Sequence, residues 1–180
     1  MVKRFPLAKY DTRLWTRECA RQIRAHLHGE LGKLKAGDSV VIDMNGIETF
    51  DYSFANEFFG RTVLSLPKEF PGVFLIVDNL SEYTRENLEN ALSCIGLIVI
   101  ERIGADARLL GKVHPADEET FSAIIGARGP VTASSLKDEL GIGLTAVNER
   151  LSKLFGLGIL RRERIASAAG REQYRYSLPT

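Results

Sequence analysis

The sequence predicts a two-part chain: an α/β unit over residues 1–112 with a mostly parallel sheet and crossover helices, then a smaller unit of three helices and a hairpin over residues 113–180. Two observations predict this. In the first part, short continuous apolar runs alternate with segments of helical period, the pattern of strands buried on both faces and joined by helices. In the second, helical segments punctuated by Gly and Pro give way to two runs of alternating polarity.

Taken in order, residues 12–34 have the period of a long amphipathic helix. Ile23, Leu27, Leu31 and Leu34 fall on one side, with Arg13, Arg17, Arg21 and Arg24 beside them. The arginine stripe reads either as a solvated flank or as a contact for phosphate or an acidic partner. Residues 39–43 and 72–78 are strand-like apolar runs, each ending in an aspartate (Asp43, Asp78), and residues 97–101 supply a third strand. Residues 54–66 and 82–93 fit the helices around them. Residues 104–115 read as the tether, with 108–113 a candidate last strand of the first unit.

In the second unit, residues 117–127 form the first helix, with Phe121, Ile124 and Ile125 on its apolar face. Gly129-Pro130 breaks it. Residues 134–140 follow, with Leu136 and Leu140 inward, and Thr132 stands three residues before Ser135, placed to cap them. After the turn Gly141-Ile142-Gly143, Val147, Leu151, Leu154 and Phe155 mark a third helix. In the hairpin, Leu160, Ile165, Tyr174, Tyr176 and Leu178 read as inward, while Arg161, Arg171, Arg175 and Ser177 fall on the other face or near the tip at residues 166–170. This order is that of a winged helix-turn-helix.

Across residues 116–178 the chain also resembles bacterial winged-helix regulators, through Val131-Thr132-Ala133-Ser134-Ser135-Leu136-Lys137-Asp138-Glu139-Leu140-Gly141 and Leu151-Ser152-Lys153-Leu154-Phe155-Gly156-Leu157-Gly158-Ile159-Leu160. The resemblance implies double-stranded DNA as a partner. On the family's pattern the outward positions of the third helix are Leu144, Thr145, Asn148, Glu149 and Ser152, with Arg150 and Lys153 toward the flank. Asn148 suits adenine, and Thr145 a phosphate or a thymine methyl, but no arginine stands in front to take guanine. Glu149 repels phosphate unless it accepts from cytosine. Arg161, Arg162, Arg164, Arg171 and Arg175, against Glu163 and Glu172, form a basic surface suited to backbone phosphates. The plainer reading is a solvated hairpin face. Winged helices also serve as protein-docking modules.

A second resemblance lies in Val40-Val41-Ile42-Asp43-Met44-Asn45-Gly46-Ile47-Glu48-Thr49-Phe50-Asp51-Tyr52-Ser53-Phe54-Ala55-Asn56-Glu57-Phe58, which is similar to the central motif of STAS domains, and most to the STAS-like family of uncharacterised function. In the related anti-sigma-factor antagonists, a serine just after an Asp at a helix N-terminus is phosphorylated by a kinase of the histidine-kinase-like ATPase class. The resemblance implies such a protein partner here, with Ser53 as that serine and Asp51, Asn56 and Glu57 around it. A phosphate there adds ~1.5 to 2 negative charges, which a helix N-terminus offsets in part. Tyr52 and Phe54 stand where the antagonists usually carry small residues. The alternative role for Ser53 is a helix cap, answering an N–H near Asn56.

Composition is that of a packed globular chain, 44% hydrophobic with a net charge of +1. The charge is uneven: residues 1–35 carry nine basic and three acidic side chains, residues 36–112 six and twelve, and the rest nine and eight. No apolar run approaches the ~20 residues of a membrane span, and the start lacks the apolar core of a signal peptide, so a cytoplasmic protein without membrane contact is expected. Cys19 and Cys94, without metal-ligand spacing, read as buried free thiols. His26, His28 and His114 form no cluster, and no cofactor is expected. Asp43, Asp78, Asp51 and Glu57, converging at the carboxyl edge of the sheet, are the best catalytic constellation. No phosphotransfer, nucleophile-elbow or phosphate-loop motif accompanies it, so the chain does not read as an enzyme. The expected function is a transcriptional regulator, acting as a homodimer, in which a STAS-like module controls a winged-helix DNA-binding domain. The alternative is a protein-binding adaptor or an antagonist-like switch with no DNA target.

Overall fold

In the computed structural model, which describes residues 1–166, 170 and 172–179, the chain divides into one compact unit over Met1–Val113 and another over His114–Pro179.

The first unit is built on a five-stranded sheet in the order β1 (Val2–Pro6), β3 (Ser39–Asp43), β5 (Phe74–Asp78), β6 (Ile98–Ile103), β7 (Asp106–Gly111). The first four strands run parallel, and β7 returns antiparallel to β6. Helix α1 (Arg17–Leu31) crosses from β1 to β3. A helical run made of α2 (Tyr52–Ala55), a π-helical turn (Asn56–Gly60) and α3 (Arg61–Glu69) crosses from β3 to β5, and α4 (Glu82–Cys94) crosses from β5 to β6. Strands β3 and β5 are buried along their apolar length, as continuous apolar runs require. Val40, Ile42, Leu75, Val77 and Val99 share one core with Leu27, Phe54, Phe58, Leu88 and Leu92 of the helices.

Several boundaries differ from the sequence-based expectation. The first helix starts at Arg17, because Arg13-Leu14 leave the helical path as β2 and pair in parallel with β4 (Thr49–Phe50). The Thr16 hydroxyl accepts the Cys19 amide and caps the helix, with Thr16 itself at φ +71°. Strand β1 was not expected at all. Half of the supposed tether is strand: the turn at Gly104 (φ +61°) folds β7 back onto β6, and Gly111 (φ +110°) leaves no room for a side chain beside the Leu97 carbonyl. Cys94, the last residue of α4, is exposed and Cys19 is half-buried, so neither is a core thiol. Among the described residues no helix is long and apolar enough to cross a membrane.

The second unit contains α5 (Pro115–Gly126), β8 (Val131–Thr132), α6 (Ala133–Leu140), α7 (Leu144–Gly156), β9 (Arg161–Ala166) and β10 (Glu172–Ser177). The three helices pack on one another, and the strands form an antiparallel sheet in the order β8-β10-β9. Thr132 and Ser135 form a reciprocal capping box at the start of α6: each hydroxyl accepts the other's amide, at 3.2 and 3.0 Å. Gly141, left-handed at φ +63°, ends that helix and allows the tight turn into α7. Phe121, Ile124, Leu136, Val147, Leu151, Leu154, Leu160 and Tyr176 are buried. Ile165 departs from expectation. The register pairs it with Gln173, and strict alternation then puts it on the face opposite Tyr176. Tyr174 shares the face of Tyr176 but is 39% exposed.

Candidate functional site

At the start of α2 in the first unit, the Asp51 carboxylate accepts the Phe54 amide at 2.6 Å and, through its other oxygen, the Thr16 amide at 3.2 Å. Asp51 is therefore the helix cap, and it also ties α2 to the entry of α1. Ser53, two residues into the helix, is not the cap; it is half-buried and its hydroxyl has no partner among the described residues. Asn56 donates to the Tyr52 hydroxyl at 3.5 Å. Glu57 does not join them: it is buried and accepts from Arg24 at 3.1 Å, with Arg21 at 3.8 Å. Two arginines of the stripe thus neutralise an internal carboxylate. Arg13 faces Glu48 at 2.7 Å.

Three large aromatic side chains border this helix start. Trp15 precedes the bonded Thr16, Tyr52 follows Asp51, and Tyr83 meets the Thr49 hydroxyl at 3.5 Å; they are 47, 48 and 55% exposed. The Thr49 and Asn87 contacts pull the Tyr83 phenol below its ordinary pKa. Exposed aromatic residues around a polar helix end make a surface suited to protein contact.

The carboxyl edge of the sheet holds a different constellation from the expected one. Asp43 and Asp78 do converge, being register partners on β3 and β5, but Arg4 of β1 bridges them, 2.8 Å from Asp43 and 2.5 Å from Asp78. Asn79, at φ +60°, donates from its side chain to Asp43 at 2.8 Å. Burial raises the Asp43 pKa, but Asn79, the Asn45 amide and Arg4 outweigh it and hold the carboxyl below its ordinary value. Arg4 therefore pairs with both carboxylates, and Asp51 and Glu57 are engaged elsewhere. Sequence reading missed Arg4 and Asn79, because only the parallel pairing of β1 with β3 brings Arg4 to this edge.

In the second unit, α7 exposes Leu144, Thr145, Asn148, Glu149 and Ser152. The Asn148 amide donates back to the Leu144 carbonyl at 3.1 Å. The two flanking cations are engaged inside the unit. Arg150 reaches Glu119 at 2.7 Å, together with the Ala116 carbonyl and Thr120 hydroxyl, and Lys153 meets the buried Asp117 at 2.5 Å. Both pin α7 to α5. On the hairpin, Arg164 pairs with Glu172 at 3.4 Å and Arg175 with Glu163 at 2.6 Å, while Arg162 lies over the Phe155 and Tyr174 rings. Arg161 is half-buried at the start of β9, and Arg171 lies outside the described residues.

Among solved structures, the chain is similar to a protein from Methanosarcina mazei Go1 described as a "possible transcriptional regulator", at 19% identity and a TM-score of 0.35. The match covers 38% of this chain and 57% of that one. No curated protein matches. Over residues 20–93 the chain matches the family model of a STAS-like domain of unknown function (DUF4325).

Proposed function

We propose that the second unit is a winged helix-turn-helix that binds double-stranded DNA, and that the STAS-like domain docks a protein partner, making the chain a transcriptional regulator. The observation that carries this reading is α7. It follows α6 across a glycine turn and presents Thr145, Asn148 and Ser152 outward, next to an arginine-bearing hairpin. Because its flanking cations Arg150 and Lys153 serve the fold, the phosphate contacts fall to the hairpin arginines. The protein reads DNA with few bases and grips it by the backbone.

Titrating the full chain with duplex at increasing salt tests this. Log affinity should fall linearly with log salt, by about 0.9 per phosphate neutralised. No binding at low salt, either to random duplex or to the chain's own upstream region, defeats the reading.

For the STAS-like domain, the docking surface is the aromatic border around α2, with Ser53 as the modified hydroxyl and a histidine-kinase-like ATPase as the class of partner. The unpartnered Ser53 hydroxyl supports modification; the class of partner comes from the resemblance. Mass spectrometry of the protein from its own host checks this, and Ser53 unmodified across growth states argues against the switch.

Two observations favour a second reading, in which both units bind proteins. Arg164 and Arg175 already face carboxylates, and Leu144 at the head of α7 is 45% exposed.

A further inference from the structure

Arg162 is held unlike its neighbours. Arg150, Lys153, Arg164 and Arg175 each face a carboxylate. The Arg162 guanidinium instead lies over two rings, its carbon 3.9 Å from the Phe155 centroid and 4.3 Å from the Tyr174 centroid, with no ion pair among the described residues.

The placement follows from two periodicities. Across the hairpin, Arg162 pairs with Tyr176 and Arg164 with Tyr174, so these side chains share one sheet face. Tyr176 is buried at its base, and Tyr174 emerges two residues on. On α7, Phe155 follows Asn148 and Ser152 at helical spacing and lies on their side of the helix. The guanidinium thus sits where the exposed face of α7 meets the hairpin.

Aromatic faces attract a guanidinium without using its N–H donors, which lie in its plane. Contact with two rings also removes rotamer freedom that a solvated arginine loses on binding. A planar donor edge held in place matches two oxygens of a phosphate. We infer that Arg162 is a preset clamp for one DNA backbone phosphate at the junction of α7 and the hairpin, with Phe155 and Tyr174 as its positioning residues.

This inference rests on the DNA-binding reading, and the test separates the two. Duplex binding by the full chain is measured across a salt series for the unaltered protein, Arg162→Met, Arg162→Lys and Tyr174→Leu, with melting temperatures alongside. Arg162→Met should flatten the salt slope by about 0.9 and weaken binding about tenfold, equally for all sequences. Arg162→Lys and Tyr174→Leu keep the charge, so both should keep the slope and lose affinity about threefold. If Arg162→Met disturbs folding, Arg162→Gln replaces it. A folded neutral variant with unaltered affinity and slope overturns the inference alone. So does a loss confined to duplexes differing at one base pair, which would assign Arg162 to a base. No duplex binding by the unaltered chain overturns the DNA reading and the clamp together.

Discussion

The Asp51 carboxylate accepts the Phe54 amide at 2.6 Å, so Asp51 closes the first turn of the helix that carries Ser53 and leaves the serine hydroxyl without a structural duty. The two side chains then differ sharply in what their loss costs. Asp51→Ala should lower unfolding stability by about 1 kcal/mol or more, since it removes a cap and also strands the Thr16 amide. Ser53→Ala should stay within about 0.5 kcal/mol. Urea denaturation of both variants checks this, and a costly Ser53→Ala would return the cap to the serine.

Arg4 gives the carboxyl edge a pH signature. The folded-state pKa of Asp43 is lowered, so its contribution is complete above the ordinary carboxylate range and is lost as pH falls toward the folded value. Arg4→Met removes the cation that faces Asp43 and the buried Asp78. It should cost about 1–3 kcal/mol at neutral pH. Because the variant has less to lose on protonation, its deficit should shrink as pH drops below about 4. Denaturation at several pH values measures this difference; a deficit independent of pH would mean that Arg4 acts through packing.

Apolar patterning made the central strands legible: Val40-Val41-Ile42 and Phe74-Leu75-Ile76-Val77 are buried throughout, and no other element accommodates such runs as economically. Strand β1 was illegible for the converse reason. As an edge strand it buries only Phe5, and Lys3, Arg4 and Pro6 give it the composition of a tail. Capping chemistry was legible as a type but not always as a position. Thr132 took its expected role, whereas Asp51 and Ser53 are both good caps and a two-residue difference in helix start decided between them. Least legible were the charges. Arg150 meets Glu119 across 31 residues of sequence and Arg24 meets Glu57 across 33, and no local pattern encodes such pairs.

Arg150 should behave as a structural residue. Its guanidinium joins α7 to the Ala116 carbonyl, the Thr120 hydroxyl and Glu119 of α5. Arg150→Met should therefore destabilise the chain by about 1–2 kcal/mol and leave the salt slope of DNA binding unchanged. Thermal melting together with salt titration distinguishes the roles. A flattened slope at unchanged stability would place Arg150 on the phosphate backbone after all.

If the second unit binds DNA as proposed, Asn148 and Thr145 decide how much sequence the exposed face of α7 reads. In the free protein the Asn148 amide bonds to the Leu144 carbonyl, so engaging a base exchanges that contact for one of similar kind and costs little. Since alanine is also the better helix former, Asn148→Ala should leave stability within about 0.5 kcal/mol. It should relax preference at one base pair by about 1–3 kcal/mol, the range of a bidentate contact to adenine. Thr145→Val is nearly isosteric and keeps the methyl while removing the hydroxyl. If the hydroxyl serves a phosphate, this variant binds every sequence more weakly and keeps the selected preference. If the methyl meets thymine, affinity and preference both survive. Selected-sequence binding with the three proteins resolves these outcomes, and an identical selected sequence for Asn148→Ala would remove Asn148 from the reading face.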